Sequence, residues 1–209
     1  TAAAGVGLFF NPETMDQEEI HRLGAESVAL THGSPQAYLP GAVLACLISA
    51  CLHNPKIPLV TLVEETLEDH LEQFGREYHQ SQEICGLIRQ AIQLAGDDTL
   101  SQVEAMERLR CENGAQVLAG AIYAALSCRG DFDSAMITAV NHSGRSAAVG
   151  AITGAILGAR MGEDALPEFY LECLEPAQVL RELADDLFQG CPMEMGNRLF
   201  DDDWDRKYL

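Results

Sequence analysis

From Gly150 the chain places glycine at every fourth position, Gly150, Gly154, Gly158 and Gly162, with Ala147, Ala151, Ala155 and Ala159 in a parallel row. Residues four apart stack on one face of an α-helix, so a helix here carries two adjacent stripes with almost no side-chain volume. Each interior glycine costs roughly 1 kcal/mol of helix propensity relative to alanine, and close packing or ligand access is what offsets such a cost. A tight helix crossing is therefore expected. A membrane dimerisation stripe has the same pattern, but Arg145 and Arg160 bracket the apolar run too closely for that.

The rest of the chain has the same helical spacing and no strand-like alternation, which predicts an all-α fold of alternating buried and amphipathic helices, read as one domain. Residues 12–32 open with Pro12 and acids that suit a helix start and then space Ile20, Leu23, Val28 and Leu30 among polar positions. Residues 34–54, with Ser34 as N-cap, are apolar nearly all round and predict a central helix stopped by Asn54 and Pro55. Leu59, Leu62, Val63, Leu67, Leu71 and Phe74 mark an amphipathic helix laid on that core. The segment 81–96 repeats the pattern and ends at Gly96, expected as a left-handed cap. A shorter helix in 98–109 and a second central one in 113–128 follow. In the tail, Trp204 and Leu199 are expected to anchor the terminus, with Asp201, Asp202 and Asp203 as solvated acids and not a metal cluster.

A formal charge of −19 and a pI near 4.5 repel nucleic acid and anionic membranes, so neither is an expected partner. Seven cysteines without a C-x-x-C pair suit reduced thiols in a cytoplasm. The start has no basic leader, and no apolar run is read as reaching the roughly 18 to 20 residues a bilayer demands.

Before the glycine helix stands Asn141-His142-Ser143-Gly144. Such a turn at a helix N-terminus gathers free N–H groups and hydroxyl donors, the surroundings a phosphate or carboxylate prefers. The same residues also make ordinary N-caps, and both readings stand. His32, just before the central helix, is likewise either a cap or a ligand contact.

With its turn and helix, the stretch NHSGRSAAVGAITGAILGARMG resembles the C-terminal signature of the ADP-ribosylglycohydrolases, N-x-x-G-D-[ST]-D-[ST]-x-x-A-I-x-G-A-x-x-G-A-x-x-G. It agrees at Asn141, Gly144, Ser146, Ile152, Gly154, Gly158 and Gly162, and GVGLFF, ALTHGSPQAYLPGAVLACLISACL, VLAGAIYAAL and LFDDDWDRKY follow family landmarks in family order. The resemblance implies an orthogonal multi-helix bundle holding two magnesium ions, which cleaves the glycosidic bond joining ADP-ribose to a side chain or small molecule.

The signature's two aspartates correspond to Arg145 and Ala147, and its metal-bound hydroxyl to Ala148. No oxygen ligand remains there, so no magnesium is expected in this chain. The G-D-A-x-G and T-D-D-T strings that open family members do not occur, and the chain is expected to lack the family's N-terminal segment. The pairs Glu64/Glu65, Asp97/Asp98, Asp131/Asp133 and Asp185/Asp186 lie outside the segments the family uses, and no catalytic or metal residue is assigned. The ligand-binding candidates are His32, Asn141, His142, Ser143, Gly144, Arg145 and Ser146, with Arg145 able to pair directly with a diphosphate. The functional expectation is a family member without normal magnesium-dependent hydrolysis that binds ADP-ribose or a related nucleotide. Its alternatives are a helical scaffold covered by a protein partner or second copy, and a hydrolase completed by a missing segment.

Overall fold

Apolar residues on every side of 35–53 leave no face suited to water, and in the computed structural model this stretch forms the central helix. The structure describes residues 2–12, 15–172, 174–190 and 202–208. Backbone contacts gather the chain into two units, 1–168 and 169–209. The first contains α1 (Ala2–Phe9), α2 (Gln17–Ala29), α3 (Pro35–His53), α4 (Leu59–Phe74), α5 (Gln80–Ala95), α6 (Gln102–Leu109), α7 (Gly114–Ser127), α8 (Phe132–Val140), α9 (Ser146–Met161) and a 3-10 turn, Glu163–Ala165. After α10 (Glu168–Glu172) at the boundary come α11 (Ala177–Gln189) and α12 (Asp202–Tyr208). The fold is all-α, as expected, with no strand among the described residues.

Every residue of α3 from Leu39 to Ser49 is buried, and the helix meets α1, α2, α4, α5, α7 and α9. It is 19 residues long and apolar enough, by length and composition, to cross a membrane. That corrects the expectation that no run reaches this length. The surrounding helices account for its apolarity, because they take up the surface a bilayer would otherwise cover. The second central helix, α7, buries every residue from Val117 to Ala125.

Against this pair lie amphipathic helices that each bury one stripe. In α4 the stripe is Leu62, Val63, Thr66, Leu67 and His70, and in α5 it is Ser81, Ile84, Cys85, Ile88 and Ala91. Each large aliphatic side chain so buried contributes about 1.5–3 kcal/mol. Polar caps set where helices begin. Asp16, not Pro12, caps α2 by accepting from the Glu18 N–H at 3.3 Å, and Ser101 and Asn113 form reciprocal capping boxes with Glu104 and Gln116. Ser34 stands at the expected cap of α3, but its side chain makes no capping bond. Gly96 closes α5 in the right-handed region (φ −92°), which corrects the left-handed expectation.

The closest helix approach is not on the glycine stripe. It is on α3, where a methyl on Gly7 of α1 would collide with the Ala45 carbonyl and one on Gly24 of α2 would lie 2.6 Å from the Ala45 Cβ. In α9 only the first stripe glycine is tightly enclosed: a methyl on Gly150 would stand 3.0 Å from the Val140 side chain, and one on Gly154 3.9 Å from Met136. Nothing lies within 4 Å of the corresponding position at Gly158 or Gly162. The expected tight crossing thus holds at the start of α9, where α8 packs, and fails beyond it.

Cys46, Cys51, Cys85, Cys111 and Cys128 are free thiols, while Cys173 and Cys191 lie outside the described residues. Within the second unit, Lys207 pairs with Asp186 at 2.6 Å, and the Trp204 and Tyr208 rings stand 4.6 Å apart. Leu199, Asp201 and the Asp202 side chain lie outside the described residues.

Candidate functional site

The start of α3 and the start of α7 meet because small residues let them: the Gly114 backbone passes close to the carbonyls of Gln36 and Ala37. The start of α9 closes the same corner, and the three N-termini surround a cavity of about 410 Å³. Its walls are apolar, from Val28, Leu44, Val117, Leu118 and Ile152, and its polar groups are His32, Glu112, Asn113 and Arg145. Each helix N-terminus carries roughly half a positive charge, so the three ends together favour an anion at this corner. Pro40, on the wall, lacks the N–H that would bond the Gln36 carbonyl within α3.

Arg145 is the residue before α9, with φ −79° and ψ 69°, and its side chain makes no capping bond. Its backbone N–H donates to the Cys111 carbonyl at 2.9 Å. Among the described residues its exposed guanidinium has no ion-pair partner. Glu112, the acid on the rim, is engaged by Arg110 at 3.0 Å. His32 is exposed between α2 and α3, its Nδ1 2.8 Å from the Thr31 hydroxyl.

Five other sequence candidates do not line the cavity. Asn141 closes α8, its amide donating to the Ile137 carbonyl at 2.7 Å. His142 donates from Nε2 to the Ala139 carbonyl at 3.0 Å and accepts the Gly144 N–H on Nδ1 at 3.0 Å, which assigns its tautomer. Ser143 donates its backbone N–H (2.7 Å) and its hydroxyl to Glu107. Ser146 donates to the His142 carbonyl at 3.3 Å. These polar groups bond to nearby backbone and to Glu107.

Gly144 explains why the turn sits where it does. Any side chain there would collide with the Arg110 carbonyl and come within 2.8 Å of the Cys111 Cβ. The receiving loop is itself unusual, with Arg110 and Cys111 both at positive φ (63° and 53°). Non-glycine residues pay roughly 1–2 kcal/mol each in that region. The α6–α7 loop and the 141–145 turn are therefore locked together, and that contact aims Arg145 at the cavity.

Sequence reasoning missed Glu107, Glu112, Asn113, Gly114 and Pro40. Asn113 left a legible signal, the capping-box spacing to Gln116. Glu107 left none, because it meets Ser143 across 36 residues. Ser143 holds its carboxylate below the usual glutamate range through the hydroxyl bond first and the N–H bond second. Among the described residues, no group of three or more His, Cys, Asp or Glu side chains is placed to hold a metal ion.

Residues 1–196 match the family model described as ADP-ribosylglycohydrolase. An uncharacterized protein of Archaeoglobus fulgidus is 29% identical over 172 residues, covering 81% of this chain and 51% of its own length. The chain thus spans about half the length of that curated relative.

Proposed function

The chain belongs to the ADP-ribosylglycohydrolase family, and from that premise we propose that it binds ADP-ribose or a closely related nucleotide without the family's magnesium-dependent hydrolysis. The observation that carries the reading is the Arg145 guanidinium, without an acidic partner, at a cavity where three helix N-termini converge. A guanidinium forks two N–H donors toward phosphate oxygens, and in a partly desolvated corner such charge-assisted bonds are about twice as strong as neutral ones. The volume lies within the usual range for small-molecule sites, and the apolar walls suit a stacked ring. His32 supplies a second polar contact on the rim.

The turn does not fit a magnesium pair. Hard divalent cations take oxygen donors, and positions 145, 147 and 148 offer one cation and two methyls. Glu107 is engaged by Ser143 and Glu112 by Arg110. In this reading Arg145 neutralises the diphosphate that a metal would otherwise hold, and no hydrolytic step is assigned.

Calorimetric titration with ADP-ribose, in magnesium and again in EDTA, tests this. Equal binding in both buffers is expected. Binding that appears only with magnesium overturns the assignment of Arg145, and no binding at millimolar ligand favours the helical scaffold. A hydrolase completed by further sequence requires hydrolysis in the presence of that segment and magnesium.

A further inference from the structure

We propose a second site, at the other end of α7 and α9, that takes a small singly charged organic anion on Arg129 and Arg160. Both helices begin at the cavity described above and end at a separate one of about 240 Å³. The second cavity is lined by Arg129 and Arg160 with apolar walls from Leu59, Leu126, Leu157 and Met161.

The unsatisfied donor is Nη1 of Arg160, buried without a hydrogen-bond partner, although the guanidinium also bonds to the Cys51 thiol. Buried donors in native proteins are almost always bonded, and one that is not calls for an ion or water. The helix ends do not supply the acceptor, because Nη1 meets no carbonyl. Its polar neighbour is Cys51, whose thiol burial pushes up to about 11 against the opposing pull of Arg160, so it carries no charge to offer at neutral pH. Arg129 is exposed and has no ion-pair partner among the described residues. Although the chain has 32 Asp and Glu residues, none among the described residues lines this cavity.

Charge arithmetic decides the sign. Two guanidinium groups bring two positive charges, and the C-termini of α7 and α9 each bring roughly half a negative one. The balance is about one positive charge, suited to one carboxylate, whereas a phosphate monoester carries close to two negative charges at neutral pH. The apolar walls favour an anion carried on a short hydrocarbon body over a bare ion.

The test is thermal unfolding of the whole chain carrying Arg145→Ala, so that the first cavity's guanidinium does not contribute, titrated with butyrate at constant ionic strength. A rise in Tm of a few degrees at 20 mM butyrate is expected, on the order of what ligand linkage gives above Kd. Arg160→Met and Arg129→Asn should each cut that rise at least five-fold. Asn is chosen because residue 129 sits at φ 49°, which asparagine tolerates. Inorganic phosphate should act more weakly than butyrate. No rise with butyrate, an equal rise with phosphate, or a rise kept in both variants overturns the proposal. Arg129 is exposed, so its variant decides the matter even if Arg160→Met does not fold.

Discussion

Glu107, in the last turn and a half of α6, accepts two hydrogen bonds from Ser143, one from its backbone N–H at 2.7 Å and one from its hydroxyl. One carboxylate thereby fixes the turn that leads into α9. In consequence, the direction of Arg145 depends on a residue that touches no part of the cavity.

Replacing Glu107 by alanine should free the turn. Amide exchange at Ser143 and Gly144 is expected to speed up, and ADP-ribose affinity to fall, with the core unchanged. The carboxylate titrates below its ordinary value when folded, so its contribution is present above that value and lost as pH falls through the folded one. Exchange rates at Ser143 that match the parent protein would refute this role.

Arg145→Asp restores the acid of the family signature without restoring the other ligands. In EDTA the substitution should abolish detectable ADP-ribose binding. Loss of a charge-assisted bond is worth about 1.5–3 kcal/mol, roughly 10- to 100-fold in Kd, before the new repulsion is added. Arg145 is exposed, so the Tm should move little. Calorimetry on the variant checks both statements, and unchanged affinity would remove Arg145 from the site.

The two classes of glycine make opposite predictions. Gly24→Ala forces a methyl against α3 and should cost about 1–3 kcal/mol by overpacking. Gly158→Ala meets nothing within 4 Å and should stabilise by about 1 kcal/mol through helix propensity. Urea denaturation of both variants separates them, and the same sign for both would contradict the packing described.

His21 and His70 are buried together between α2 and α4, with ring centroids 5.8 Å apart. Burial lowers them to about 4 and about 3, with His21 adding a smaller repulsion at His70. Both His70 nitrogens lack a hydrogen-bond partner. Because the folded values lie below the unfolded one, the neutral rings cost nothing above about pH 6.5, and stability is lost as pH falls from there through about 4 for His21 and about 3 for His70. Each ring accounts for about 2 kcal/mol of loss at pH 5. His70→Leu should flatten the acid limb of a stability–pH curve, and an unchanged limb would show that other groups control it.

The helices were legible in the sequence because they follow from local spacing. The burial of residues 39–49 and the stripes of α4 and α5 need only a 3.6-residue period and apolar side chains. The family resemblance was legible too, since a turn feeding a glycine-stepped helix is a contiguous string, and the family match agrees with it. What each glycine does was not legible. Gly24 and Gly150 face neighbours and Gly158 faces none, and that depends on where other helices cross.

The sequence by itself therefore determined the all-α class, the identity of the central helices and the presence of Arg145 where the family signature has an acid. Tertiary structure alone decided which polar groups are spent. Asn141, His142, Ser143 and Ser146 offer donors in the string, but capping bonds within the turn and the distant Glu107 consume them. Arg145 stays available because the packing of Gly144 against residues 110 and 111 sends it the other way. A hydrogen bond needs its partner within about 3 Å, and nothing in residue order says which carboxylate, 36 positions away, will arrive there.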